Sequence, residues 1–147
     1  MLRQKVIHYR FKCVLINHLI TNGKKQTSEK LVLKCFKLSQ KQCLKDHSKI
    51  FKSAIINCSP VVNIKSIKRG RKQMQEFPFI LRPSIRISLA IKLILHTIEK
   101  RSDSTFSSKF NAEITQSSKH SSTSSKMKEN MHNEAFISRK YANYRWF

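Results

Sequence analysis

Apolar residues recur at helical spacing from Phe11 to Ile20. Phe11, Leu15 and Leu19 step by four, with Ile16 and Ile20 on the adjoining strip. This is the pattern of an amphipathic helix. It ends at "TNGKK", where Asn22 and Gly23 suit the left-handed backbone that closes helices. Thr27 or Ser28 is then expected to cap a second helix, with Glu29 in its first turn, where the helix dipole favours an acid. Leu31, Cys35 and Leu38, with Val32 and Phe36, form the buried face of that helix. A third helix is read from about Asp46 to Cys58, its apolar pairs being Ile50 with Ala54 and Phe51 with Ile55. Pro60 bars its continuation.

The period then changes. "VVNIKSIKRGRKQMQEFPFIL" places β-branched and apolar residues on either side of a polar, basic middle. This predicts a β-hairpin at about 61–82 with Gly70 in or near its turn. Pro78 removes a ladder donor and makes the second arm an edge or outward-facing strand. Two strands alone are marginal in water, so a long basic hairpin calls for an outside partner. A fourth helix starts at Pro83, a residue suited to a first helical turn. Ile87, Ile91, Ile94 and Ile98, backed by Ala90, form its buried stripe. Ser88, Lys92, His96 and Glu99 form the wet one. Residues 102–104 break the pattern. Phe106, Phe110 and Ile114 predict a short fifth helix. "SSKHSSTSSK" reads as a flexible serine-rich loop. A last helix is read from near Lys126, with Met127, Met131 and Ala135 on one face. The fold class is mainly α: about six helices with one protruding basic β-hairpin. The domains expected are a basic N-terminal arm at 1–13 and a single domain at 14–147.

Charge sharpens this picture. Among 147 residues, 30 Lys and Arg face eight Asp and Glu, a net charge of +22. Such a surplus strains the compact state by self-repulsion, and a polyanion is its usual complement. The cations run from Arg3 to Arg145 rather than forming one tail. That spread favours a protein surrounded by RNA on several sides. Half-buried packing and base stacking are both open to Tyr141, Tyr144 and Trp146.

Several function classes are disfavoured. A phosphodiester hydrolase needs clustered carboxylates for metals or a His pair. The acids here are scattered singles such as Glu29, Glu76 and Glu113, and the six His form no constellation. No Gly-rich phosphate loop is present. Cys13, Cys35, Cys43 and Cys58 lack zinc spacing, sit beside apolar residues and read as reduced buried thiols. No cofactor, metal or small-molecule substrate is expected. No apolar stretch is free of charge for long enough to span a membrane. A free-standing nuclear or chromatin-type protein, with "KRGRK" as a localisation signal, is the alternative. The strand pattern on both sides of that run argues against it.

Five segments in order carry a resemblance: "NGKKQTSEKLV", "AIINCSPVVNIKS", "FPFILRPSIRISLAIKLIL" with its Arg82–Pro83 pair, "KMKENMHNEAF", and Tyr144–Arg145–Trp146. From about Val14 onward the chain resembles the small-subunit ribosomal protein seven family of bacterial and organellar type. It departs from the family at the hairpin tip, where Arg71 follows Gly70 in place of a second glycine. The second arm reads "QMQEFP", and the hairpin is about one residue longer. The fifth helix and serine loop match weakly.

The resemblance implies a structural constituent of the small ribosomal subunit that binds the rRNA of its head and helps assemble it. Neighbouring ribosomal proteins would be further partners. The hairpin would reach toward the tRNA exit site and the path of departing mRNA. Lys65, Lys68, Arg69, Arg71 and Lys72 would line that reach. Lys24 and Lys25 would face rRNA phosphates, Arg82 and Arg86 would anchor RNA where hairpin and long helix meet, and Lys126, Lys128 and Arg145 would add contacts near the C-terminus. The Lys-, Ile-, Asn-, Phe- and Ser-rich composition with two Gly points to a mitochondrial ribosome, a plastid second. A match beginning by Val14 leaves little room for a cleaved presequence, although "MLRQKVIHYRFK" has the composition of either a transit peptide or a basic arm. Organelle encoding or an uncleaved start is expected.

Overall fold

The computed structural model describes residues 2–43, 47–69 and 73–143, with side chains described for 11–41, 47–68 and 74–143. Helices α1 (Leu2–Leu19), α2 (Lys25–Cys43) and α3 (His47–Cys58) precede an antiparallel hairpin of β1 (Val62–Arg69) and β2 (Gln73–Ile80). Helices α4 (Pro83–Lys100), α5 (Phe106–Ser118) and α6 (Thr123–Ile137) follow, with a single 3-10 turn at Arg139–Tyr141. The mainly helical class with one hairpin is therefore observed. The first helix extends well beyond Phe11, back to Leu2.

The core forms where the helical stripes meet. α5 lies at its centre and packs on α2, α3, α4 and α6. Phe36, Phe51 and Phe110 meet at centroid distances of 5.3 to 6.3 Å. Phe51 and Phe110 are almost completely buried, each stabilising the fold by about 1.5–3 kcal/mol relative to exposure. The stripe predicted on α4 is seen: Ala90, Ile91, Ile94 and Ile98 are buried, and Ile87 packs at the margin. Cys35 and Cys58 are buried free thiols and Cys13 is half-buried. Burial pushes the Cys35 and Cys58 thiols up, away from the reactive thiolate.

Two further boundaries differ from expectation. Asn22 (φ 52°) and Gly23 (φ 73°) take up the left-handed conformation as predicted. They turn the chain so sharply that α2 begins at Lys25, so Thr27 and Ser28 lie inside its first turn. Both hydroxyls donate back to the Lys24 carbonyl, and Ser28 also reaches the Leu19 carbonyl (3.1 Å), tying α2 to the end of α1. Glu29 sits one turn in and pairs with Lys25 at 3.9 Å.

The serine-rich stretch is the second correction. It is not a loop. Ser117 and Ser118 end α5, His120 takes a left-handed φ of 59°, and Ser122 caps an α6 that starts at Thr123 rather than Lys126. Ser117, Ser122, Ser124 and Ser125 are all buried. The reason is Glu113, whose side chain is 1% exposed. Arg101, which ends α4, donates to Glu113 Oε2 through Nε (2.9 Å) and a terminal nitrogen (2.6 Å). Ser117 and Ser124 donate to Oε1. Ser122 bonds Ser117 and Ser125 in turn. A buried carboxylate needs donors for each oxygen, and the serines supply them.

Candidate nucleic-acid interface

The hairpin register is regular, from Val62 opposite Ile80 to Arg69 opposite Gln73. The Leu81 N–H donates to the Val61 carbonyl (3.0 Å). Bonded pairs therefore fall at the odd positions of β1, and Pro78, opposite Ile64, needs no ladder donor. The Ile64 N–H accordingly turns outward and meets the Asn63 side chain (2.9 Å). Side chains alternate between faces along each strand. Lys65 thus lies on one face and Lys68 on the other. Lys65 and Lys68 are exposed. The expected turn at Gly70, with Arg71 and Lys72, lies outside the described residues, as does the side chain of Arg69.

The root of the hairpin is gripped from two sides. Phe77 is buried and meets the edge of Tyr141 at 5.9 Å, so Tyr141 serves packing. From α6, the Lys128 ammonium donates to the Asn57 carbonyl (2.9 Å), and one turn later His132 Nε2 accepts the Val61 N–H (3.2 Å). These two side chains clamp the link from α3 into β1. His132 must be neutral to accept. Burial first, then the nearby Lys128 charge, hold its pKa below the ordinary 6.5. At the other strand, Arg86 Nε donates to the Leu81 carbonyl (2.9 Å), locking the exit into α4.

The candidate cations therefore separate into two groups. Lys24, Lys25, Lys65, Lys68, Arg82 and Lys126 present exposed side chains. Arg86 and Lys128 are half-buried and hold backbone carbonyls. Their hydrogen bonds orient the arm that carries the other cations. Arg145 lies outside the described residues, with Tyr144 and Trp146. His18 Nε2 bonds the Ser88 hydroxyl (2.8 Å) and so sets the end of α1 against the second turn of α4. Burial and Lys92 lower its pKa. Spacing could not have distinguished exposed from carbonyl-bound cations, because the partners of Lys128 and His132 lie 71 residues away.

No cluster of His, Cys, Asp or Glu able to hold a metal occurs among the described residues, and no described helix is long and apolar enough to cross a membrane. Fold and surface define a class: a basic helical protein that holds a cationic hairpin away from its core, suited to a ribonucleoprotein particle.

Comparison with known proteins narrows the class. Residues 2–139 match the family described as ribosomal protein S7p/S5e, and the chain belongs to that family of structural, non-enzymatic ribosomal proteins. It is 32% identical over 131 residues to the small ribosomal subunit protein uS7 of Vibrio atlanticus, covering 89% of this chain and 83% of the relative. It is 34% identical to uS7 of Wigglesworthia glossinidia brevipalpis over the same shares. It is 34% identical to uS7m of Reclinomonas americana over 145 residues, 99% of this chain and 91% of the relative.

Proposed function

We propose that this chain, a structural constituent of the small ribosomal subunit, binds the rRNA of the subunit head and helps assemble it. Its partners are that rRNA and neighbouring ribosomal proteins. Its hairpin reaches toward the tRNA exit site and the path of departing mRNA. The observation that carries this reading is a hairpin with exposed lysines on both faces, rooted by α6 and Arg86 so that it points in one direction. Lysine supplies a point charge to phosphate, and arginine can fork onto phosphate or stack on a base. Such contacts position a protein on RNA, and the shape of the RNA supplies specificity. The exposed Lys24, Lys25, Arg82 and Lys126, together with the basic residues of 1–13, extend the contact. The setting proposed is a mitochondrial ribosome, supported by the composition and by similarity to the Reclinomonas americana protein over nearly the whole chain.

The test joins co-sedimentation with mutation. The protein should travel with small subunits through a gradient and leave at high salt. Replacing Lys68, Arg69, Arg71 and Lys72 with Ala should leave the circular dichroism unchanged. It should weaken binding to head-domain rRNA by about tenfold or more at physiological salt. Equal affinity of the wild-type chain for random DNA and head rRNA would refute the reading.

A further inference from the structure

The hairpin root and α6 leave a groove between them. Val62, Phe79 and Ile80 line it from the hairpin, and Ala135, Phe136 and Ala142 from the other side, around a space of about 400 Å³. Ile80 is 59% exposed and Phe136 64% exposed, so large apolar side chains stand bare on both walls. The groove is unlike the basic surface around it. Among the described residues that line it, Arg139 is the single Lys or Arg, and its guanidinium lies over the Phe136 ring at 4.4 Å. His132 spends Nε2 on the Val61 N–H. RNA is held first through its phosphates, and this groove offers them no lysine. The chain itself supplies a better occupant. Beyond α6, the 3-10 turn at Arg139–Tyr141 packs on β2, and Ala142 arrives in the groove wall. Residues 144–147 read "YRWF", three aromatic residues and no acid. Four residues of chain span at most about 14 Å, so Trp146, four past Ala142, stays beside the groove whatever path the chain takes. So short a tether holds the rings there at a millimolar effective concentration, ahead of a partner arriving from solution. An indole has a broad apolar body and one polar N–H, which suits apolar walls open to water along one side.

We infer that residues 144–147 dock in this groove of their own chain, with Trp146 as the anchor between Ile80 and Phe136. The segment is then a strap. It ties β2 to α6 as His132 ties the entry to β1, and so gives the root of the hairpin a further hold. Its rings serve packing, as Tyr141 does against Phe77, rather than stacking on bases. Two bare apolar walls are covered without a second molecule, which spares a strongly charged protein an adhesive patch.

Trp146 is the only tryptophan in the sequence, so the fluorescence of the isolated full-length protein reports on it alone. Its emission should be blue-shifted, and its quenching by acrylamide several-fold slower, relative to the urea-unfolded chain. Nuclear Overhauser contacts should join the indole protons to the Ile80 methyls. Ile80→Ser combined with Phe136→Ser should bring emission and quenching back toward their unfolded values at unchanged circular dichroism. Ile137→Ser, exposed beside the groove but not lining it, should leave both as they are. Trp146→Ala should speed hydrogen exchange at the Phe77 and Phe79 amides several-fold, and Trp146→Phe should hold it near the wild-type rate. A wild-type tryptophan as exposed as in urea would overturn the strap. So would burial that survives the paired groove substitution, burial gained only when head-domain rRNA is added, or burial gained only beside a neighbouring protein in intact subunits.

Discussion

A carboxylate taken out of water must find a counter-charge and a donor for each oxygen. Glu113 has Arg101 on one oxygen and Ser117 and Ser124 on the other. Burial alone would push its pKa up. The Ser124 hydroxyl, then Arg101 by hydrogen bond and charge, outweigh burial and hold it below the ordinary 4.5. The stability from this lowering is present above 4.5 and is lost as pH falls through the folded value. Glu113→Ala should destabilise the protein by about 3 kcal/mol in urea titration, and Glu113→Gln should flatten the acid side of its stability profile. At this scale legibility was uneven. Asn22 and Gly23 declare a local backbone demand, so their conformation was readable. Glu113 reads as an ordinary solvated acid, because its partners stand beyond a helix break and inside a serine run.

Elements follow hydrophobic period, which is why α3, the hairpin and α4 stood where the pattern put them. The start of α6 escaped because its core-facing positions are hydroxyls, which count as polar in any periodicity. Its grip on the hairpin root was hidden too, since His132 and Lys128 look like surface residues until Asn57 and Val61 are placed beside them. The clamp makes a pH prediction. Acidification below 6.5, through the depressed pKa of His132, protonates its acceptor nitrogen and loosens the link. Stability therefore falls as pH falls across that window, and His18 acts in the same direction. Hydrogen exchange at the Val61 amide should accelerate several-fold relative to core amides between pH 7 and pH 5.5, after correction for intrinsic rates. In His132→Ala it should be fast at both. Equal protection in the variant and the wild type would exclude the clamp.

For the molecule as a whole, +22 charges on 147 residues make the free protein an unfinished electrostatic object. Screening lessens self-repulsion. The Tm of the isolated chain should therefore rise by a few degrees between 50 and 500 mM salt, while its affinity for rRNA falls over the same range. A Tm that fell instead would show that internal ion pairs outweigh the repulsion. The sign and dispersal of the charge were legible from composition. Which cations face outward was not, because Arg86 and Lys128 are used up on backbone carbonyls chosen by the fold. The clamp also has a consequence in time. Asn57 and Val61 precede their partners on α6 by 71 residues. The hairpin itself ends at Ile80, so at about 5–20 residues per second a chain under synthesis carries it for roughly 2–10 s before those partners exist. The arm is made early and aimed last, so a nascent chain can meet RNA through loose cations before it can present them in a fixed direction.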